Sequence, residues 1–298
     1  MTPPRPPQRL TVRTDLLEIA LDCWGDPAGD PVLLLHGFPF DPRSFDAAAA
    51  ILAEAGMRVL VPWLRGFGPT RFLDDATMRS GQQTAIAEDA RALLDGLGIN
   101  RALVGGFDWG GRAACIMAAL WPERVRGLLL VGGYLVQDLA DPLRPAPAAF
   151  EHRVWHQYFI ASARGRRALA EQPRDLCRHL REIWSPGLVD EALFERSAAS
   201  FDNPDFAEVA WHSYAHRIGA APGDPRYAAL DAALLPPPPV PVPAIVLTGT
   251  GGLMGGVAGQ AKFGNLLEAR ALEGTGHDPA AERPDAFARA LLDLRART

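Results

Sequence analysis

The chain has 298 residues, 48% of them hydrophobic and 22% charged, with a formal net charge of −5 at pH 7. That is too apolar and too weakly charged for a disordered chain, and no apolar run reaches the ~18 residues that span a bilayer. A sequence pI of about 5.8 argues against nucleic acid as the main partner. Length suits one large α/β unit, or a core carrying an inserted second domain. Cys23, Cys115 and Cys177 are odd in number and lack metal-ligand spacing, which predicts free thiols in a reducing cytoplasm. The proline-rich start has no apolar stretch after its positive charge, so a signal peptide is not expected. Lys262 is the sole lysine among 30 basic residues, a compositional bias.

In chain order, residues 10–23 alternate and predict two antiparallel strands meeting near Thr14 and Asp15. The apolar run 31–35, bounded by turn residues, predicts a strand buried on both faces. Helices are expected at 44–56, 81–97 and 110–120, with strands at 58–64, 101–107 and 125–132 between and after them. That alternation means a mostly parallel sheet with helices on both faces. From about Tyr134 to Leu235 the alternation stops, leaving only helical and loop segments. Four prolines, Pro236 to Pro239, form a stiff seam. Strands at 244–247 and 269–272 and a closing helix at 283–294 resume the pattern.

Chemistry concentrates in Gly105-Gly106-Phe107-Asp108-Trp109-Gly110-Gly111-Arg112. Between a buried strand and a helix this reads small-x-nucleophile-x-small, the elbow of the α/β-hydrolases. Gly106 and Gly110 leave room for a strained turn that lifts residue 108 above the sheet. The helix N-terminus and the Trp109 N–H then face a developing oxyanion. A carboxylate at the elbow can attack an electrophilic carbon and form an ester for water to cleave. The plain alternative is that Asp108 only caps the helix.

With these residues the sequence resembles the epoxide hydrolase and dehalogenase branch of the α/β-hydrolase superfamily. His36-Gly37-Phe38-Pro39, Arg65-Gly66-Phe67-Gly68, the Asp108 elbow and Gly276-His277 carry the resemblance, which covers nearly the whole chain. It implies a core of residues 1–134 and 236–298 with a helical cap inserted at 135–235. It also implies that the Phe38 and Trp109 amides form the oxyanion hole and that His277 activates the hydrolytic water. His36 is expected to brace its loop. From the cap, Tyr214 matches a ring-opening acid, and His156 stands where a second tyrosine is common. Trp155 is expected to bind substrate, with Tyr158 as a reserve.

The sequence departs from the family at the third triad member. Gly251 or Gly252 stands where a carboxylate is expected, and the alternative position, Gly132-Gly133, also lacks an acid. Asp138, just past the fourth parallel strand, is the expected substitute; Glu273 and Asp278 are expected to point away. Six of the eleven residues from Gly249 to Gly259 are glycine, which predicts mobility. Phe38 replaces the halide-binding asparagine of haloalkane dehalogenases, and Trp109 replaces the carboxylate-binding arginine of haloacid enzymes, although Arg112 is retained. The resemblance therefore implies a small hydrophobic epoxide as substrate, with a halogenated one as the alternative. No metal, organic cofactor, nucleic acid or membrane is implied, and a homodimer stays open. Loss of the triad acid adds a third reading, in which hydrolysis is impaired and the protein opens, cyclises or only binds its ligand.

Overall fold

The computed structural model describes residues 6–188, 190–251 and 259–298. Strands β1 (Gln8–Arg13) and β2 (Leu17–Trp24) form the expected hairpin, with Thr14 Oγ1 accepting from the Leu17 N–H at 3.1 Å. Then come β3 (Asp30–Leu35), α1 (Asp46–Glu54), β4 (Met57–Pro62) and the two-residue β5 (Arg71–Phe72). They are followed by α2 (Gln83–Gly96), β6 (Ala102–Gly106), α3 (Asp108–Leu120) and β7 (Val125–Val131). Among the described residues, only helices and loops separate β7 from the next strand. These helices are α4 (Ala148–Arg153), α5 (Trp155–Ala161), α6 (Ala163–Glu171), α7 (Pro173–Trp184), α8 (Glu191–Ala198), α9 (Phe206–Arg217) and α10 (Ala228–Ala233). The chain closes with β8 (Val240–Gly249), β9 (Phe263–Leu272), α11 (Pro279–Glu282) and α12 (Pro284–Ala296).

The sheet runs β1-β2-β4-β3-β6-β7-β8-β9, with β5 paired to β2. From β4 to β9 every neighbour is parallel. All five residues of β6 are buried, as a strand covered on both faces requires. Helices α2 and α3 pack together, as do α1 and α12, and these pairs supply the covering layers. The fold is an α/β-hydrolase fold.

Strand order places the functional region. The chain leaves β3 toward β4 on one side and returns to β6 on the other, so the loops after β3 and β6 diverge at a topological switch point. Both loops carry sequence motifs, His36–Phe38 and Phe107–Trp109. One difference from expectation concerns β8, which begins at Val240 and takes in Pro241 and Pro243. Its pairing with β9 shifts register at these prolines, so the missing N–H groups fall where the ladder is already broken. The seam is tied down as well, because Tyr134 Oη donates to the Pro238 carbonyl at 2.6 Å.

Cys23, Cys115 and Cys177 are free thiols. Among the described residues, no helix is long and apolar enough to cross a membrane. Gly252 and most of the glycine tract lie outside the described residues.

Candidate active site

Asp108 is the one non-glycine residue among those described with a left-handed backbone, at φ 49°. Aspartate tolerates this region better than most residues. Its neighbours allow the turn because a Cβ at Gly110 would stand 2.1 Å from the Leu35 carbonyl oxygen, and one at Gly106 2.7 Å from the Gly110 carbonyl carbon. Neither site has room for a side chain. Asp108 is therefore held in a strained turn, which a mere cap does not require.

The two carboxylate oxygens have different surroundings. Oδ1 accepts the Phe38 N–H at 3.0 Å. Oδ2 lies 3.7 Å from His277 Nε2 and 3.9 Å from Arg112 Nη1. Burial alone would raise the pKa of Asp108. Instead its carboxyl is held well below the usual range, because His277, Arg112 and the Phe38 N–H all favour the anion. The Trp109 amide, in the first turn of α3, has no carbonyl four residues back within the helix to bond. Its indole stacks on the Phe38 ring at 5.3 Å.

His36 is fully buried and bridges its surroundings: Nδ1 meets the Gly37 carbonyl at 2.9 Å, and Nε2 accepts the Leu64 N–H at 3.1 Å. Burial pushes its pKa down to about 4. This is a loop clasp.

His277 reaches Asp108 because its loop is pinned from the helical region. The His277 N–H donates to the Trp184 carbonyl at 2.9 Å, with Ser185 Oγ at 3.0 Å from the same nitrogen, and the two rings pack edge to face at 5.3 Å. Among the described residues no carboxylate hydrogen-bonds its Nδ1.

Over the Asp108–His277 pair lies a cavity of about 240 Å³. Its walls include Arg112, Gly132, Phe150, His156, Trp184 and Arg217. His156 comes from α5 and packs edge-on against Trp184 at 4.7 Å and Tyr214 at 5.5 Å. Burial, reinforced by the charge of Arg217, pushes its pKa down to about 3, so its ring is neutral at pH 7. The Tyr214 ring sits one layer behind, against Phe38, Trp109 and His156, with its hydroxyl pKa raised by burial and by the Asp108 charge.

The model of the alpha/beta hydrolase fold family matches residues 30–283. The chain belongs to the α/β-hydrolase family. Within it, the chain falls in the epoxide-hydrolase-like branch. It is similar to a candidate epoxide hydrolase of Klebsiella pneumoniae, with 36% identity over 97% of each chain and a TM-score of 0.93. Epoxide hydrolase 2 of Siraitia grosvenorii is 38% identical over 104 residues, 34% of this chain and 32% of that protein. Epoxide hydrolase B of Mycobacterium tuberculosis is 30% identical over 164 residues, 51% of this chain and 46% of that protein. The chain thus matches a third to about half the length of these curated relatives.

The fold brings together Asp108, Phe38, Trp109, His277, His156 and Tyr214. It does not bring in three expected residues. Asp138 is exposed, and its Oδ1 accepts the Ala140 N–H at 3.0 Å, with no hydrogen bond to His277. The chain turns away at Gly132 and Gly133, whose φ values are 91° and 105°, and carries Asp138 to the surface. Trp155 and Tyr158 do not line the cavity. Successive helical residues are rotated by about 100°, so with His156 and Ile160 facing inward, Tyr158 faces solvent and bonds to Glu151. Trp155 packs on Phe159 and His179.

Asp278 is committed elsewhere, accepting from Ser44 Oγ at 2.6 Å and capping α11. Glu273 accepts from Thr250 Oγ1. Trp184 and Arg217 are among the wall residues that the sequence reading does not single out. Trp184 has no motif to mark it. Arg217 stands three residues after Tyr214 on one helix, a spacing that shares a face and was open to inspection.

Proposed function

We propose that this protein opens a small epoxide through a covalent ester on Asp108, then releases a diol by water that His277 activates. The observation carrying this reading is Asp108 itself: a strained elbow carboxylate with one oxygen on an amide donor and the other facing a cavity and a histidine. In the first half-reaction Oδ2 attacks an epoxide carbon, and the C–O bond breaks with its electron pair passing to the ring oxygen. Neutral His156, on the cavity wall, orients that oxygen by hydrogen bonding, and Tyr214, packed against His156 one layer behind, turns toward the cavity to supply the proton. The helical segment between β7 and β8 acts as a cap that supplies these two groups and excludes water.

In the second half-reaction water adds to the ester carbonyl. His277 takes its proton, and the Phe38 and Trp109 amides hold the oxyanion. A second reading rests on the absence, among the described residues, of a carboxylate on His277 Nδ1. Without that partner the imidazole is free to take the wrong tautomer, and loss of the equivalent group in serine triads costs about 10⁴-fold in turnover. Ester hydrolysis is then the slow step.

Incubation with a small terminal epoxide, followed by intact-mass and diol measurements, tests both halves. An adduct mapped to Asp108, or diol formation abolished in Asp108→Asn, supports the proposal. Neither adduct nor diol across aliphatic, aryl and carboxylated epoxides overturns it.

A further inference from the structure

The resemblance implies a hydrophobic substrate, yet two arginines line the cavity. Arg112 comes from α3, one turn beyond Asp108, and Arg217 from the end of α9. The Nε and Nη1 atoms of Arg112 are buried without a hydrogen-bond partner. Arg217 is 9% exposed, and its bonds go to neutral oxygens of Ser213, the carbonyl at 3.3 Å and Oγ at 3.2 Å. Among the described residues lining the cavity, Asp108 is the sole carboxylate.

Two guanidinium groups therefore share one counterion in a largely dry site. Buried charge is tolerated when paired and hydrogen-bonded, and is costly otherwise. Burial and the charge of Arg112 push the Arg217 pKa down to about 9. The balance shifts during the reaction proposed above. Once Asp108 is an ester its negative charge has passed to Tyr214, which lies against Arg217 at 4.5 Å, so with a neutral substrate Arg112 is left without an anion. A substrate carrying its own carboxylate keeps one counterion present throughout. Planar guanidinium donors also match a carboxylate well.

We propose that Arg112 and Arg217 form a carboxylate subsite beside Asp108, split between the core and the helical segment, and that the substrate is a small epoxy acid. The epoxide half of this statement rests on the Asp108 reading; the carboxylate half does not. The cavity volume of about 240 Å³ suits a compound of a few carbons. The reaction balances as epoxy carboxylate plus water giving dihydroxy carboxylate. The ring C–O bond breaks as the Asp108–carbon bond forms, and water then cleaves the ester to regenerate Asp108.

The test compares 2,3-epoxybutanoate with its uncharged amide for adduct and diol formation, and measures butyrate binding by calorimetry. A rate advantage of about 100-fold for the acid, with butyrate binding lost in Arg217→Met and partly kept in Arg217→Lys, is the expected result. Arg112→Met provides a second variant, with circular dichroism checking that each is folded. Equal rates for acid and amide, with no butyrate binding, overturn the subsite and leave the Asp108 chemistry standing. Butyrate binding with neither epoxide reacting keeps the subsite and overturns the epoxide reading. No binding and no reaction overturn both.

Discussion

His277 Nε2 stands 3.7 Å from Oδ2 of Asp108, while Oδ1 of the same carboxylate is held 3.0 Å from the Phe38 N–H. The oxygen tied to the amide is already where an ester carbonyl oxygen needs its donor. The other faces the cavity and is free to attack. Asparagine keeps the shape and tolerates φ 49° as aspartate does, but its amide is a poor nucleophile. Asp108→Asn is expected to stay folded by circular dichroism and to lower adduct formation by at least about 10⁴-fold. Alkylation persisting at another residue, at the wild-type rate, would sink the assignment.

The isolated imidazole gives the second prediction. With attack intact and deacylation unsupported, the wild-type protein should accumulate an adduct equal in mass to the epoxide. Diol should form more slowly than the adduct. His277→Gln should leave the adduct and remove the remaining diol, since the base that deprotonates water is then absent. Quenched time courses read by intact mass separate the two rates. Diol release from His277→Gln at the wild-type rate would show that another group activates the water.

Much of this was legible in the sequence, and the boundary of what was not has a physical origin. Period-2 and buried-run patterns marked the strands because a sheet covered on both faces demands them, and the elbow stood out because close packing allows nothing but glycine at 106 and 110. The helical segment gave less. Residues 154–159 are aromatic or apolar at nearly every position, so periodicity could not say that His156 faces inward and Tyr158 outward. Asp138 was chosen by distance along the chain, which carries no direction once two glycines with positive φ turn the backbone. Trp184 meets His277 across more than ninety residues, a contact that no local pattern encodes.

His36 supplies a pH dependence. Its pKa in the folded state is about 4, lowered by burial, against an ordinary value of 6.5. Because the folded value is depressed, the unfolded chain binds the proton first as pH falls. The stability of the neutral ring is thus fully present above pH ~6.5 and is lost progressively toward pH ~4, on the order of 3 kcal/mol in all. Asp46 and Asp278, raised to about 6 chiefly by burial, act in the opposite direction. The usable quantity is therefore the difference between wild type and His36→Asn in urea titrations. The wild type should lose ground to the variant between pH 6.5 and 4; a constant difference would mean that His36 takes up its proton at the same pH in both states.

The last prediction concerns the buried ion pair next to the loop that His36 clasps. Arg65 Nε and Nη2 meet the two oxygens of Asp89 at 2.6 and 2.7 Å, and Nη2 also reaches the Tyr227 hydroxyl at 2.9 Å, tying β4's following loop to α2 and to the residues before α10. Arg65 is 1% exposed. Removing one partner strands the other, at a cost of about 3–5 kcal/mol. The two truncations should differ in pH response. Asp89→Ala strands a guanidinium that cannot lose its proton. Arg65→Met strands a carboxyl whose pKa burial already raises, so the folded state takes up a proton before the unfolded one does. Measured relative to wild type, Arg65→Met should recover stability as pH falls through the raised Asp89 value, down to about 4, where the unfolded chain also protonates. Asp89→Ala should not recover. Parallel pH profiles for the two variants would mean that Asp89 gains solvent once Arg65 is removed, and that the packing between α2 and the loop after β4 is looser than the buried pair implies.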